Sequence, residues 1–222
     1  IVEFVNRGIS SKVEQIFKQR FSDPKERNNS MLLLTSTFEE NVDFQGEESL
    51  ANISQLIFEK KYRINSPEIE KKISIYLQDW GWLNYSYCGP ALTEEQAVEE
   101  IKSQSELGNP LERIEKIKRE MSENKKKQET VLKSSLFNKD EIYLIKTARD
   151  IVQTKYLRAK MMALADFTIN LLLLHFAQKE NLSMKQMGVL TIKEVIHYFK
   201  TSRLPDINEL NKRLIYCILI SS

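Results

Sequence analysis

Between Asn138 and about Glu180, apolar residues recur at Ile145, Ala148, Val152, Ala159, Met162, Ile169, Leu173 and Phe176. The steps alternate between three and four residues, and only Lys155 and Asp166 interrupt the stripe with polar side chains. Such spacing places the apolar residues on one face of a helix and predicts a packed seam. A helix of roughly 40 residues is about 60 Å long at 1.5 Å per residue, so it needs a partner helix or a bend to bury its stripe. After Leu171 the apolar face widens into "LLLLHFA", which predicts an end surrounded on several sides.

Shorter helices are legible on both sides of this one. Ser66-Pro67 reads as an N-cap and first helical position, followed by Ile69, Ile73, Tyr76 and Leu77, with Gly81 as the stop. Thr93 with Gln96 forms a capping box that opens a short helix through Ile101. Asn109-Pro110 opens a highly charged helix whose Glu112–Lys116 and Glu115–Arg119 pairs have the favourable order. Asn181 reads as a C-terminal cap, Ser183 as the start of a single turn, and Thr191 with Glu194 as a second capping box. Residues 9–21 and the stretch "ESLANISQLIFEKKY" read as helices, residues 31–34 as a buried apolar run, and residues 38–46 as a loop.

The expected fold is therefore all-α, a multi-helix domain built around one long helix at about 139–180. Residues 1–213 form the helical domain, with an N-terminal helical part at 1–64 and a core at 65–213. The β-favouring run from Ile215 to Ile220 is expected to open a strand, so residues 214–222 read as the start of a following domain. A chain that begins with Ile and stops in an apolar run is expected to be a piece of a longer polypeptide.

Six glycines and five prolines in 222 residues argue against a many-turned β fold. A formal charge of +2, from 33 basic and 31 acidic residues, gives no support to nucleic-acid binding. Cys88 and Cys217 stand far apart, which excludes a disulfide framework and a cysteine zinc site and points to a reducing, cytoplasmic compartment. Asp166 and Asn170 interrupt the longest apolar run, which fits a buried helix better than a membrane span.

Neither common glycine-rich phosphate cradle is present, nor is H-E-x-x-H. His175 and His197 fall on separate helices and read as structural residues, because a zinc site needs three or four donors. Two stretches can recognise something. In "DWGWLNYSYCGP", Trp82, Tyr85 and Tyr87 offer large surfaces with polar handles. The structural reading has Trp80, Trp82 and Tyr85 pinning a helix end to the long helix, and it carries more weight for the tryptophans. In "IKTARDIVQTKYLRAK", Lys146, Arg149, Lys155 and Arg158 recur beside the seam, where arginine suits a carboxylate or phosphate. An ordinary solvated flank is the alternative.

The ordered phrases "YLQDWGWLNYSYCGPALTEEQAVEEIK", "LIKTARDIVQTKYLRAKMM" and "HFAQKENLSMKQMGVLTIKEVIHYF" resemble a helical region of phosphoenolpyruvate-utilising enzymes. These are multidomain phosphotransferases similar to phosphoenolpyruvate synthase and rifampin phosphotransferase. The matching phrases are Trp80 to Leu83, Lys146 to Arg149, and Leu182-Ser183 through Leu190-Thr191 to Glu194. The resemblance implies a helical acceptor-binding or linker region between an ATP-grasp unit and a mobile phosphohistidine domain, in the same or a companion chain. It implies ATP and Mg for the complete enzyme and none in this segment. It also implies a small-molecule acceptor held by Trp82, Tyr85, Tyr87, Lys146, Arg149 and Arg158, with neither nucleic acid nor membrane as partner. No phosphohistidine or ATP-binding motif is present, so this segment is not expected to transfer phosphate by itself. The other reading is a non-catalytic helical protein-interaction module.

Overall fold

The computed structural model describes residues 2–85 and 91–215, with only the backbone considered for residues 2–6. Among the described residues there are ten α-helices and no strands. They are α1 (Val2–Arg20), α2 (Pro24–Thr35), α3 (Val42–Phe58), α4 (Pro67–Trp80), α5 (Glu94–Glu106), α6 (Pro110–Lys133), α7 (Lys139–Lys179), α8 (Met184–Met187), α9 (Ile192–Thr201) and α10 (Ile207–Ile215). The chain divides into two compact units, 1–164 and 165–222, and the division falls inside α7.

Local chemistry sets most of the boundaries. Asp23, Asn41, Thr93, Asn109, Ser183 and Thr191 each accept a hydrogen bond from an otherwise orphaned backbone N–H at a helix start. Asn138 and Glu141 cap the start of α7 reciprocally. The Glu141 N–H reaches Asn138 Oδ1 at 2.9 Å, and the Asn138 N–H reaches Glu141 Oε2 at 2.8 Å. Arg20 at the end of α1 grips the same Glu141 with two 3.0 Å bonds. The Asn138 backbone N–H, with Arg20, holds the Glu141 carboxyl below the usual range.

In the first unit α3 is the hub, packing against α4, α5 and α6. One core joins Leu50 and Ile53 of α3 to Ile69, Ile73 and Tyr76 of α4 and Ala97 and Ile101 of α5. These contacts cross residue 64, where the sequence reading set its internal boundary. A second core gathers Val13, Ile16 and Phe17 of α1, Leu34 of α2, Leu132 of α6, and Phe137 and Ile145 at the start of α7. Phe17 and Ile145 are fully buried there, each contributing roughly 1.5–3 kcal/mol.

The loop expected at 38–46 is half helix, because α3 begins at Val42 behind the Asn41 cap. Gly46 in this helix is closely approached: a Cβ there would sit 2.4 Å from Leu83 Cδ1, so that side-chain end would have to shift, and 3.6 Å from the Trp80 ring. The apolar run at 31–34 is buried only at Leu34, and Leu32 is exposed. In α6, Lys116 pairs with Glu120 at 3.9 Å, not with Glu112 as its spacing predicts. The strand expected from Ile215 is not seen at that residue, which closes α10; residues 216–220 lie outside the described residues.

The second unit contains the end of α7 with α8, α9 and α10. Asn181, at φ 54°, ends α7 in the left-handed conformation, and the Leu182 N–H reaches back to the Ala177 carbonyl at 2.8 Å. The Phe176 and Tyr198 rings meet edge to face at 4.7 Å, and the Tyr198 hydroxyl donates to the Glu180 carboxylate.

The seam predicted along α7 is packed at Ile145 and Ala148 and again at Phe176, which meets Tyr198, but is open between them. Val152, Met162 and Ile169 are each about half exposed, and Leu171 and Leu172 in the widened apolar end are also open to solvent. Periodicity identified the apolar face, but it carries no information on what covers that face. Among the described residues, α7 is also the one helix long and apolar enough to cross a membrane, with only 6% of its most apolar 18-residue window buried.

Candidate functional site

A cleft of about 500 Å³ opens in the first unit between α6, α7 and the segment after α2. It is lined by the cations Lys125, Lys133, Lys146 and Arg149, by the carboxylates Glu39, Glu129 and Asp150, and by Phe38 and Leu132. Its organising residue is Gln128, which is 3% exposed.

The Gln128 amide nitrogen donates to the carbonyls of Leu33 at 2.8 Å, Ser36 at 3.0 Å and Leu34 at 3.3 Å. These carbonyls belong to the last turn and cap of α2, where intrahelical partners run out. With the nitrogen committed to three acceptors, the amide oxygen must face the other way. It accepts from Arg149 Nη1 at 2.9 Å. A neutral amide therefore orients the guanidinium without neutralising it. The nearest carboxylate is Asp150, 3.9 Å from Arg149 Nε and 71% exposed.

Lys146, one turn before Arg149, has no ion-pair partner among the described residues. The outer charges are matched locally: Lys125 with Glu39 and Lys133 with Glu129, each at 3.5 Å. Lys146 is thus the cation of the cleft without a matching carboxylate among the described residues, and Arg149 faces only the mostly exposed Asp150.

A second cluster ties α3 and the aromatic run to α7. Lys160 Nζ lies 2.5 Å from Asp43 Oδ1 and donates to the Leu83 carbonyl at 3.1 Å. The Tyr156 hydroxyl donates to Asp43 Oδ2 at 2.9 Å and accepts from the Asp43 N–H at 3.3 Å. Burial, opposed in part by the Asp43 N–H, raises the Tyr156 hydroxyl above its ordinary pKa. Tyr156 also lines a smaller cleft of about 250 Å³. Every polar atom of this trio that points inward has a partner, so its chemistry is that of a clamp.

The structure treats the sequence-derived site residues unequally. Lys146 and Arg149 share the large cleft. Trp82 is buried and donates its indole N–H to the Asp79 carbonyl at 2.8 Å. Tyr85 is 5% exposed and lines neither cleft. Arg158 is exposed and also lines neither. Tyr87 lies outside the described residues. Trp80 packs on the α3–α4–α5 core, and the Lys160–Leu83 bond ties the aromatic run to the long helix.

Sequence reasoning missed Gln128, Phe38, Asp43, Tyr156 and Lys160. Gln128 did leave a signal. It continues the stripe Ile114, Ile117, Met121 and Asn124 of α6, so it occupies an inward position that a charged helix reserves for apolar residues.

In the second unit, Glu194 accepts twice from Arg213, at 2.9 and 2.8 Å, while its carboxylate also closes the Thr191 capping box. The fork from Arg213 is the main cause that holds the Glu194 carboxyl down to about 2. Arg213 also reaches the Val189 carbonyl and Glu209, both at 3.3 Å. His175 and His197 are both exposed. Among the described residues no group of three His, Cys, Asp or Glu side chains could hold a metal.

No family model matches the chain, and no curated protein or solved structure matches it either.

Proposed function

We propose that this chain is the helical acceptor-binding or linker region of a multidomain phosphotransferase resembling phosphoenolpyruvate synthase. In this reading it is not catalytic alone, and it works in the cytoplasm beside ATP-grasp and phosphohistidine domains of the same or a companion chain. ATP and Mg belong to those domains. The observation that carries the reading is that two of the phrases behind the resemblance are organised features of the fold. Lys146 to Arg149 brings two cations into one cleft, the first with no ion-pair partner among the described residues and the second beside only the mostly exposed Asp150. Leu182-Ser183 through Glu194 is one capped run, fastened by the Arg213 fork.

Within that role the cleft supplies affinity and orientation. Arg149 and Lys146 attract the anionic part of an acceptor, and Phe38 and Leu132 take the apolar part that the sequence reading gave to Trp82, Tyr85 and Tyr87. Proton transfer and phosphoryl transfer fall to the other domains. The flanking gene sequence tests the proposal: a mobile domain with a phosphohistidine motif in the following frame or in an adjacent companion gene supports it, and its absence from both refutes it.

A second reading, the non-catalytic helical interaction module, is favoured by the apolar side chains that α7 leaves exposed at Met161, Met162, Ile169, Leu171 and Leu172. Light scattering separates the two. An interaction module self-associates or holds a partner through this face and is released by Leu172→Glu, whereas a strict monomer unaffected by that change counts against it.

A further inference from the structure

We infer that the Gln128–Arg149–Lys146 cleft is a binding site for the phosphoryl group of a small organic phosphate monoester. The inference deepens the acceptor role proposed for this cleft, on which its biological sense rests.

Three features point to this ligand. The first is charge. Lys146 has no ion-pair partner among the described residues, Arg149 one turn on has only the mostly exposed Asp150 at 3.9 Å, and a phosphate monoester brings close to two negative charges at neutral pH. A carboxylate brings one and would leave the second cation idle. The second is preorganisation. Gln128 is buried, its nitrogen is fully committed, and its oxygen holds Nη1 of Arg149, so one end of the guanidinium is anchored before a ligand arrives. The other guanidinium N–H groups have no hydrogen-bond acceptor among the described residues. Arginine is then free to offer its fork, and Lys146 adds a mobile point charge.

The third feature is the wall. Phe38 and Leu132 line the same cleft, and about 500 Å³ is enough for a small organic body but far more than a bare phosphate needs. The carboxylates of the rim do not oppose the ligand strongly. Glu39 and Glu129 each have their own lysine, and Asp150 is mostly in solvent.

The test is a titration of the protein with phenyl phosphate, benzoate and inorganic phosphate, followed by amide chemical shifts. The expected result is saturable binding of phenyl phosphate, with shifts centred on Gln128, Lys146 and Arg149. It should be about tenfold tighter than either benzoate or inorganic phosphate, one unit in log affinity for the lost charge or the lost body. Lys146→Ala removes an exposed side chain with no ion-pair partner, so the fold should be untouched while phenyl phosphate weakens by about tenfold. Arg149→Met should abolish binding.

Unchanged affinity in Lys146→Ala, equal affinity for benzoate, or equal affinity for inorganic phosphate would each overturn the inference. The wider reading can fail separately. Phenyl phosphate bound here by a protein with no phosphohistidine domain in its own gene or an adjacent companion gene sinks the phosphotransferase and keeps the site. A phosphohistidine enzyme whose cleft ignores phenyl phosphate does the reverse.

Discussion

Replacing Gln128 by leucine keeps the side chain's approximate volume and removes every hydrogen bond it makes. Three carbonyls at the end of α2 lose their donor, and Arg149 loses its acceptor. A buried group left unsatisfied costs about 1–3 kcal/mol. The bond to Leu34 is wholly buried, whereas those to Leu33 and Ser36 are half-buried and can recover some water. Arg149 is 27% exposed and can also be rehydrated. One full penalty and two or three partial ones give about 3 kcal/mol. For a unit of this size each kcal/mol moves Tm by about 2–4 °C, so Gln128→Leu should melt roughly 6–12 °C lower. Trp80 and Trp82 both belong to the first unit, so tryptophan fluorescence reports this transition, with far-UV circular dichroism as the cross-check. Gln128→Glu is the informative companion. It keeps an oxygen for Arg149 but sets acceptors against the α2 carbonyls, so it too should destabilise. A change below about 0.5 kcal/mol in Gln128→Leu, or a stabilised Gln128→Glu, would refute the argument that Gln128 works by capping α2.

Further outcomes follow from the same structure. Glu194 is held from an ordinary 4.5 down to about 2, so it adds stability to the second unit that is full above pH 4.5 and lost as pH falls toward 2. With its side chain 24% exposed, screening leaves that contribution at about 2 kcal/mol. Glu194→Gln should remove this pH dependence, and amide hydrogen exchange along α9 measured from pH 6 to pH 3 checks both statements. Gly46→Leu should cost about 1–3 kcal/mol by fluorescence-detected urea unfolding, because a Cβ alone already meets Leu83 at 2.4 Å. Leu172→Glu in the exposed end of α7 should change Tm by less than about 2 °C, since the side chain is 65% exposed and leaves no cavity.

What the sequence made legible was local. The starts of α5, α6, α8 and α9 were readable because Thr93, Asn109, Ser183 and Thr191 act on backbone groups within four residues of themselves. By contrast, α4 opens on Pro67 alone, since the Ser66 hydroxyl makes no cap bond and is buried without a partner among the described residues. The start of α3 was hidden because Gly46 looks like a helix breaker until Leu83, distant in the chain, is seen against it. Gln128 and Asp43 owe their roles to partners elsewhere in the chain, 21 residues away at Arg149 and 92 to 95 at the end of α2 for Gln128, and 113 at Tyr156 for Asp43. Lys146 and Arg149 were readable as a pair because they share one helix face. Trp82 and Tyr85 were read as half-available because their residue types suit ligands, whereas tertiary packing buried them. The exposure of α7 at Val152, Met162 and Ile169 was illegible for a different reason: an apolar stripe states a need for cover and does not show whether the need is met.

The most direct measurement of the central claim is phosphohistidine formation in the full-length protein. Incubation with Mg and ATP labelled in its β- and γ-phosphates should give protein-bound label that survives alkali and is lost in acid. The account predicts that label, and its discharge by a small-molecule acceptor should slow in Arg149→Met while the labelling itself proceeds. A full-length protein that takes up no acid-labile phosphate would contradict it.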